Sequence, residues 1–127
     1  MNQEECLREL ERWENLPLER LAYLMGYIRA LDPLHRSPEE VWQRVMPERE
    51  RLDCHFTEGA RDALKQVLFP RLIAAGIDPE RIYQAVKSLK SMDFLIWANA
   101  HINPELARRF PKRMARIAAL LGSRAEA

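Results

Sequence analysis

Three times the chain repeats one short signal, a side chain able to cap a helix followed by Pro-Glu. It reads Ser37-Pro38-Glu39, Asp78-Pro79-Glu80 and Asn103-Pro104-Glu105. A Ser, Asp or Asn oxygen accepts from an orphan N–H at a helix start. Pro in the first turn gives up only an N–H that had no partner, and the Glu sits where the helix dipole favours negative charge. Ser37 is also followed three residues on by Glu40, the spacing of a capping box. Met46-Pro47-Glu48 and Thr57-Glu58 are weaker versions of the same signal.

Between these starts the apolar residues recur at helical spacing. Cys6, Leu10 and Trp13 share one face. Leu18, Leu21, Leu24, Met25, Ile28 and Leu31 form a second stripe, and Val41, Trp42, Val45 and Met46 a short third. Ala60, Leu64, Val67 and Leu68 follow, then Ile82, Ala85, Val86 and Leu89, and finally Phe110, Met114, Ile117 and Leu121. No segment alternates with period two, and no hairpin dipeptide such as Asn-Gly occurs. The pattern predicts an all-α fold, a single compact bundle of six or seven helices with short loops and Pro-initiated helices. The expected domain spans 1–122, with 123–127 as a frayed tail. Phe69-Pro70 and Phe110-Pro111 each predict a joint or kink, because the residue before Pro is pushed out of the α region. The longest irregular stretch is expected from about Pro47 to Phe56.

Composition excludes several classes. At 127 residues, with 47% hydrophobic and 31% charged side chains, the chain can build one core and is not a disordered polymer. The polar, acidic start Met1-Asn2-Gln3-Glu4-Glu5 does not fit a signal peptide. The longest apolar run, Phe94-Leu95-Ile96-Trp97-Ala98, is too short to span a bilayer and reads as buried. Two cysteines, Cys6 and Cys54, do not make a disulfide framework. The expectation is a soluble cytoplasmic protein that makes no use of membranes.

The net charge of +1 hides a dipolar chain. Residues 1–58 hold thirteen acidic and eight basic side chains, whereas 59–127 hold six acidic and twelve basic. The densest cluster is Arg108, Arg109, Lys112, Arg113 and Arg116, which at helical spacing forms one basic stripe away from the apolar stripe, and so an exposed one. Three readings compete. The two halves can simply be solvated faces that pair with each other or between copies. The stripe can contact a phosphate backbone. It can lie on anionic lipid, a reading disfavoured because the apolar stripe lacks Trp and is needed for the core.

Leu72-Ile73-Ala74-Ala75-Gly76-Ile77-Asp78-Pro79-Glu80 followed by Arg81-Ile82-Tyr83-Gln84-Ala85 reads as helix, glycine turn, helix. It resembles a DNA-binding helix-turn-helix. That resemblance implies that Arg81, Tyr83, Gln84 and Lys87 belong to a recognition helix, with Ser88 and Ser91 also facing outward. Two positions depart from the pattern: Leu72 stands where a small residue is usual, and Arg71 where an apolar one is. An ordinary helical hairpin with a glycine cap accounts for the same residues.

No catalytic pattern emerges. His35, His55 and His101 lack the i, i+3 or i, i+4 spacing of a helical metal site, and there is no CxxC. Cys54-His55 are sequence neighbours, which does not make a nucleophilic dyad. Asp93, Trp97 and His101 fall on one helix face, where a histidine bonded to a neighbour is the plain reading. Glu4, Glu5, Glu9, Glu11 and Glu14 alternate with Arg8 and Arg12 at ion-pair spacing. Most aromatics fall on apolar stripes; Tyr27 and Tyr83 do not, and are expected to be exposed. No enzyme activity, metal or cofactor is expected. The expected function is that of a non-catalytic helical binding module, an accessory subunit or adaptor in a larger assembly that could include nucleic acid. It would use an acidic N-terminal and a basic C-terminal face, with a protein partner or self-association. The alternative is DNA or RNA binding through the C-terminal basic helix and the segment 72–91. A small enzyme is the third reading and needs a pocket where His55 or His101 meets carboxylates.

Overall fold

A computed structural model describes residues 1–125, and the side chains up to residue 122. The described residues form helices and the turns that join them, with no strand among them. The all-α expectation therefore holds. The helices are α1 (Gln3–Leu10), α2 (Leu18–Leu31), α3 (Glu39–Val45), α4 (Arg49–Ala63), α5 (Phe69–Ala74), α6 (Pro79–Ser88), α7 (Ser91–Ala100), α8 (Glu105–Arg109) and α9 (Pro111–Ala125). The frayed tail expected at 123–127 lies, for 126 and 127 and for every side chain in it, outside the described residues. The chain groups into two compact units, Met1–Leu68 and Phe69–Ala127.

The cap signals meet different fates. Asp78 accepts from the Glu80 N–H at 2.8 Å and Pro79 opens α6. Asn103 accepts from the Glu105 N–H at 3.2 Å. Ser37 caps nothing: Pro38 is extended (φ −54°, ψ 149°), so α3 begins at Glu39 and Pro38 itself takes the cap position. The stretch expected to be irregular between Pro47 and Phe56 is instead α4, which starts at Arg49, and Thr57-Glu58 lies in its interior. Its charged composition hides a stripe of Leu52, Phe56, Gly59 and Ala63, in which one position is a glycine that propensity counts against a helix.

In the first unit α2 is the central element, buried around most of its circumference. It runs alongside α4 in the same direction, as the pairs Glu19–Arg51, Tyr23–Asp62 and Tyr27–Gln66 show in sequence order. Gly26 and Gly59 explain the closeness. A Cβ on Gly26 would collide with the backbone carbonyl of Phe56, and one on Gly59 with that of Tyr23. Each helix thus offers a glycine to the other's carbonyl, an approach that any side chain forbids and that suits Cα–H···O contacts. Leu21, Ala22, Met25, Val41, Val45 and Leu52 form the adjoining core. Arg44 donates to the carbonyls of Trp13 and Leu16 and ties down the short helical turn at Trp13–Asn15.

Tyr27 corrects the sequence reading. It is fully buried, and its hydroxyl bonds the Met1 carbonyl and Gln66 Oε1. It reads as off the stripe only if α2 has one buried face, whereas α2 is enclosed on nearly all sides. Tyr23 donates to Asp62 Oδ2 at 2.5 Å, and desolvation together with that carboxylate pushes its phenol well above the usual range. Cys6 is buried with its thiol directed at the Leu24 carbonyl (3.4 Å), and burial raises its pKa to about 11.

Both Phe-Pro joints form. Pro70 has no N–H for the Gln66 carbonyl, and the turn before it, Leu64–Leu68, widens into a π-helix that runs into α5. Phe110 leaves the α region (φ −126°, ψ 57°) between α8 and α9. In the second unit α5 closes on Gly76 at φ +88°, with Ile77 N–H donating to Leu72 O and Gly76 N–H to Ile73 O, both at 3.0 Å. That is a Schellman ending, and only glycine takes its positive φ without strain. Leu72, Ile82, Ala85, Leu89, Phe94, Ile96, Leu106 and Ile117 are buried. Val86, expected on the apolar stripe of α6, is 49% exposed, because Ile82, Ala85 and Leu89 complete that stripe without it.

Candidate functional site

The second unit carries the features that could meet a ligand or partner. Residues 69–127 hold ten basic and five acidic side chains, against ten basic and fourteen acidic in 1–68. The basic excess predicted for the C-terminal half therefore follows the division into units.

The basic stripe does not behave as one surface. Asp93 on α7 is buried, yet it accepts from two arginines of α9. Arg116 binds both its oxygens, at 2.9 and 3.0 Å, and Arg113 Nε binds Oδ1 at 3.0 Å. Burying a carboxylate is costly unless it is paired and hydrogen-bonded in this way. Arg113 and Arg116, expected to face outward, are thus partly committed inside the unit. Arg108 is exposed and pairs loosely with Glu105 at 3.5 Å, which in water is worth little. Arg109 and Lys112 are exposed on either side of the Phe110 joint. Arg108, Arg109 and Lys112 remain as the cationic face.

The residues assigned to a recognition helix are exposed but divided. At about 100° per residue, Arg81 and Gln84 share a flank of α6 with Glu80 and Ser88, while Tyr83 and Lys87 take the other. Lys87 Nζ sits 4.7 Å from the Tyr83 ring centroid. Gln84 donates to Glu80 at 3.1 Å. The flank bearing Arg81 and Gln84 borders a groove whose far wall is α9, lined by Met114, Ile117, Ala118 and Leu121. These α9 residues lie on a different face from Arg113 and Arg116, which turn to Asp93. The structure therefore divides the recognition-helix residues between two flanks of α6 and turns Arg113 and Arg116 of the basic stripe toward Asp93.

The groove has a volume of about 500 Å³. Trp97 and His101 of α7 complete its lining. The His101 ring stands edge-on to Trp97, with centroids 4.7 Å apart, and its Nδ1 is 2.8 Å from the Trp97 carbonyl. A carbonyl only accepts, so Nδ1 carries the proton and Nε2 is left as the second polar atom of the ring. Ser88 Oγ, on the α6 side, is buried and makes no hydrogen bond among the described residues. A buried hydroxyl without a partner is uncommon. The sequence offered one signal for this site, the i, i+4 pair Trp97–His101. It offered none for Ser88, which read as facing outward, or for Met114 and Leu121, which read as core.

The other candidate chemistry stays dispersed. Cys54 is exposed on α4, with His55 half-buried beside it, and His35 lies in the loop after α2. Among the described residues no cluster of three or more His, Cys, Asp or Glu could hold a metal ion. None of the described helices is long and apolar enough to cross a membrane. Comparison with protein families, with curated proteins and with solved structures gives no match.

Proposed function

We propose that the protein is a non-catalytic helical binding module, an adaptor or accessory subunit that engages an acidic protein surface through its second unit. The observation that carries this reading is the coincidence, in one unit, of an exposed cationic face (Arg108, Arg109, Lys112) with most of the exposed large apolar side chains. Of the six such side chains among the described residues, Ile73, Tyr83, Val86, Ile102 and Leu120 belong to this unit and only Met46 to the other. Opposed charge steers encounter and fixes register, while aromatic and aliphatic anchors supply affinity. The second reading, binding of a nucleic-acid backbone, draws on the same three cations. It is weakened because Arg113 and Arg116 spend donors on Asp93.

The test is fluorescence anisotropy across a salt series with three labelled probes: an amphipathic acidic peptide, single-stranded DNA and duplex DNA. The expected result is salt-sensitive peptide binding that exceeds binding to either DNA and is lost on Arg108→Glu, Arg109→Glu and Lys112→Glu together. These exposed residues can be reversed without disturbing the core. DNA binding tighter than peptide binding, with the steep salt slope of counterion release, overturns the adaptor reading in favour of the nucleic-acid one. No binding of any probe at low salt overturns both.

A further inference from the structure

The groove of the second unit has features that a protein-facing cationic surface does not need. Its size falls in the range of small-molecule sites, about 300–1,000 Å³. Apolar side chains of α9 and the Trp97 ring form much of its lining, and a few polar groups enter from α6 and α7. The Ser88 hydroxyl is buried and has a proton to donate with nothing to receive it. Arg81, two turns before Ser88 on the same flank of α6, places a guanidinium at the mouth. The groove's one carboxylate, Glu80, already accepts from Gln84. His101 holds its ring by Nδ1, which leaves Nε2 as its remaining polar atom.

From this arrangement we infer that the groove binds a small carboxylic acid with an aromatic or branched apolar body. The body lies against Met114, Ile117, Leu121 and the Trp97 ring. The carboxylate accepts from the Arg81 guanidinium. Two observations select an anion over a neutral molecule. The guanidinium offers a charge-assisted donor, and the unit carries twice as many basic as acidic side chains, so its field draws anions in. The apolar body follows from the lining, where desolvation of Met114, Leu121 and Trp97 supplies the affinity. This inference uses α6, α7 and the groove face of α9, whereas the adaptor reading uses Arg108, Arg109 and Lys112, so either can fail alone.

The experiment is a titration of the full chain, labelled with ¹⁵N, with 2-naphthoate as probe and 2-naphthamide as its neutral isostere. The expected result is a saturable shift of the Trp97 indole N–H and of the Ser88 and His101 amides. Its Kd should be on the order of 100 μM, given the usual efficiency of a ligand of this size. The amide should bind at least about tenfold more weakly, and Arg81→Gln should remove that preference. Ala118→Trp fills the groove from the opposite wall and should abolish the shifts while leaving Arg81 in place. A folded Ala118→Trp variant that binds as well as the parent overturns the inference. So do equal affinities for acid and amide, saturable shifts confined to residues outside the groove, and the absence of any saturable shift.

Discussion

The two units solve the problem of helix packing in opposite ways. In the first, α2 and α4 approach until the carbonyls of Tyr23 and Phe56 rest on Gly59 and Gly26, and α2 is buried nearly all round. In the second, α6 and α9 stand far enough apart to leave a groove, and Tyr83 and Val86 remain half exposed. The first unit carries the acidic excess and spends several of its charges locally. Glu9 is clasped by Arg20 at 2.6 and 2.8 Å, and Glu19 by Arg51 at 2.6 Å. In each pair the arginine holds the carboxyl below its ordinary range. Close packing uses up surface that a ligand would need, and an open groove gives up burial that stability would need. On the proposed function, the first unit is the scaffold and the second the place of recognition.

The sharpest way to break this comparison is to add one methyl group where the helices touch. Gly26→Ala or Gly59→Ala puts a Cβ into the facing backbone, which cannot swing aside as a flexible side chain would. The expected cost is about 3 kcal/mol or more for each, read from the urea midpoint of the first unit. A loss below 1 kcal/mol would show that α2 and α4 have room to part.

Next in size is an alkaline instability of the same unit. The Cys6 thiol ordinarily ionises near pH 9.0 and is held protonated to about pH 11 in the folded chain. Between those values the unfolded chain releases a proton that the folded chain keeps, so stability falls as pH rises. The full effect is up to about 3 kcal/mol, because each tenfold difference in proton affinity between the folded and unfolded chain is worth roughly 1.4 kcal/mol. Tyr23 and Tyr27, both raised by desolvation, steepen the same slope. Urea titrations from pH 8 to pH 11 should show the decline, and Cys6→Ala should flatten part of it. A profile unchanged by Cys6→Ala would place the effect on the tyrosines alone.

The smallest effect sharpens the contrast from the other side. Tyr83→Ser and Val86→Ser remove exposed apolar groups and should change stability by no more than about 0.5 kcal/mol. If these residues serve recognition, the pair should weaken binding of the acidic peptide while the melting temperature stays in place. A clear drop in melting temperature would mean that the second unit relies on these side chains for its own packing.

Much of the architecture was legible in the residue order because it rests on local chemistry. Asp78-Pro79-Glu80 and Asn103-Pro104-Glu105 each satisfy an orphan N–H within two residues, and Gly76 ends α5 within its own turn. The Phe-Pro joints follow from the proline ring alone. Where a signal depended on neighbours from elsewhere in the chain, the order of residues misled. The polar run from Pro47 to Phe56 became a helix because α2 supplies the apolar surface for its Leu52 stripe. Tyr27 went inside because Gln66 and the Met1 carbonyl take its hydroxyl. Arg113 and Arg116 turned from an expected surface stripe toward Asp93 on another helix. The groove exists only where α6, α7 and α9 converge. Local sequence thus determined where α6 and α8 begin and where α5 ends. Which faces the helices hide, which charges they neutralise and what space they leave open depended on long-range contacts, because burial and desolvation are properties of assembled surfaces rather than of neighbouring residues.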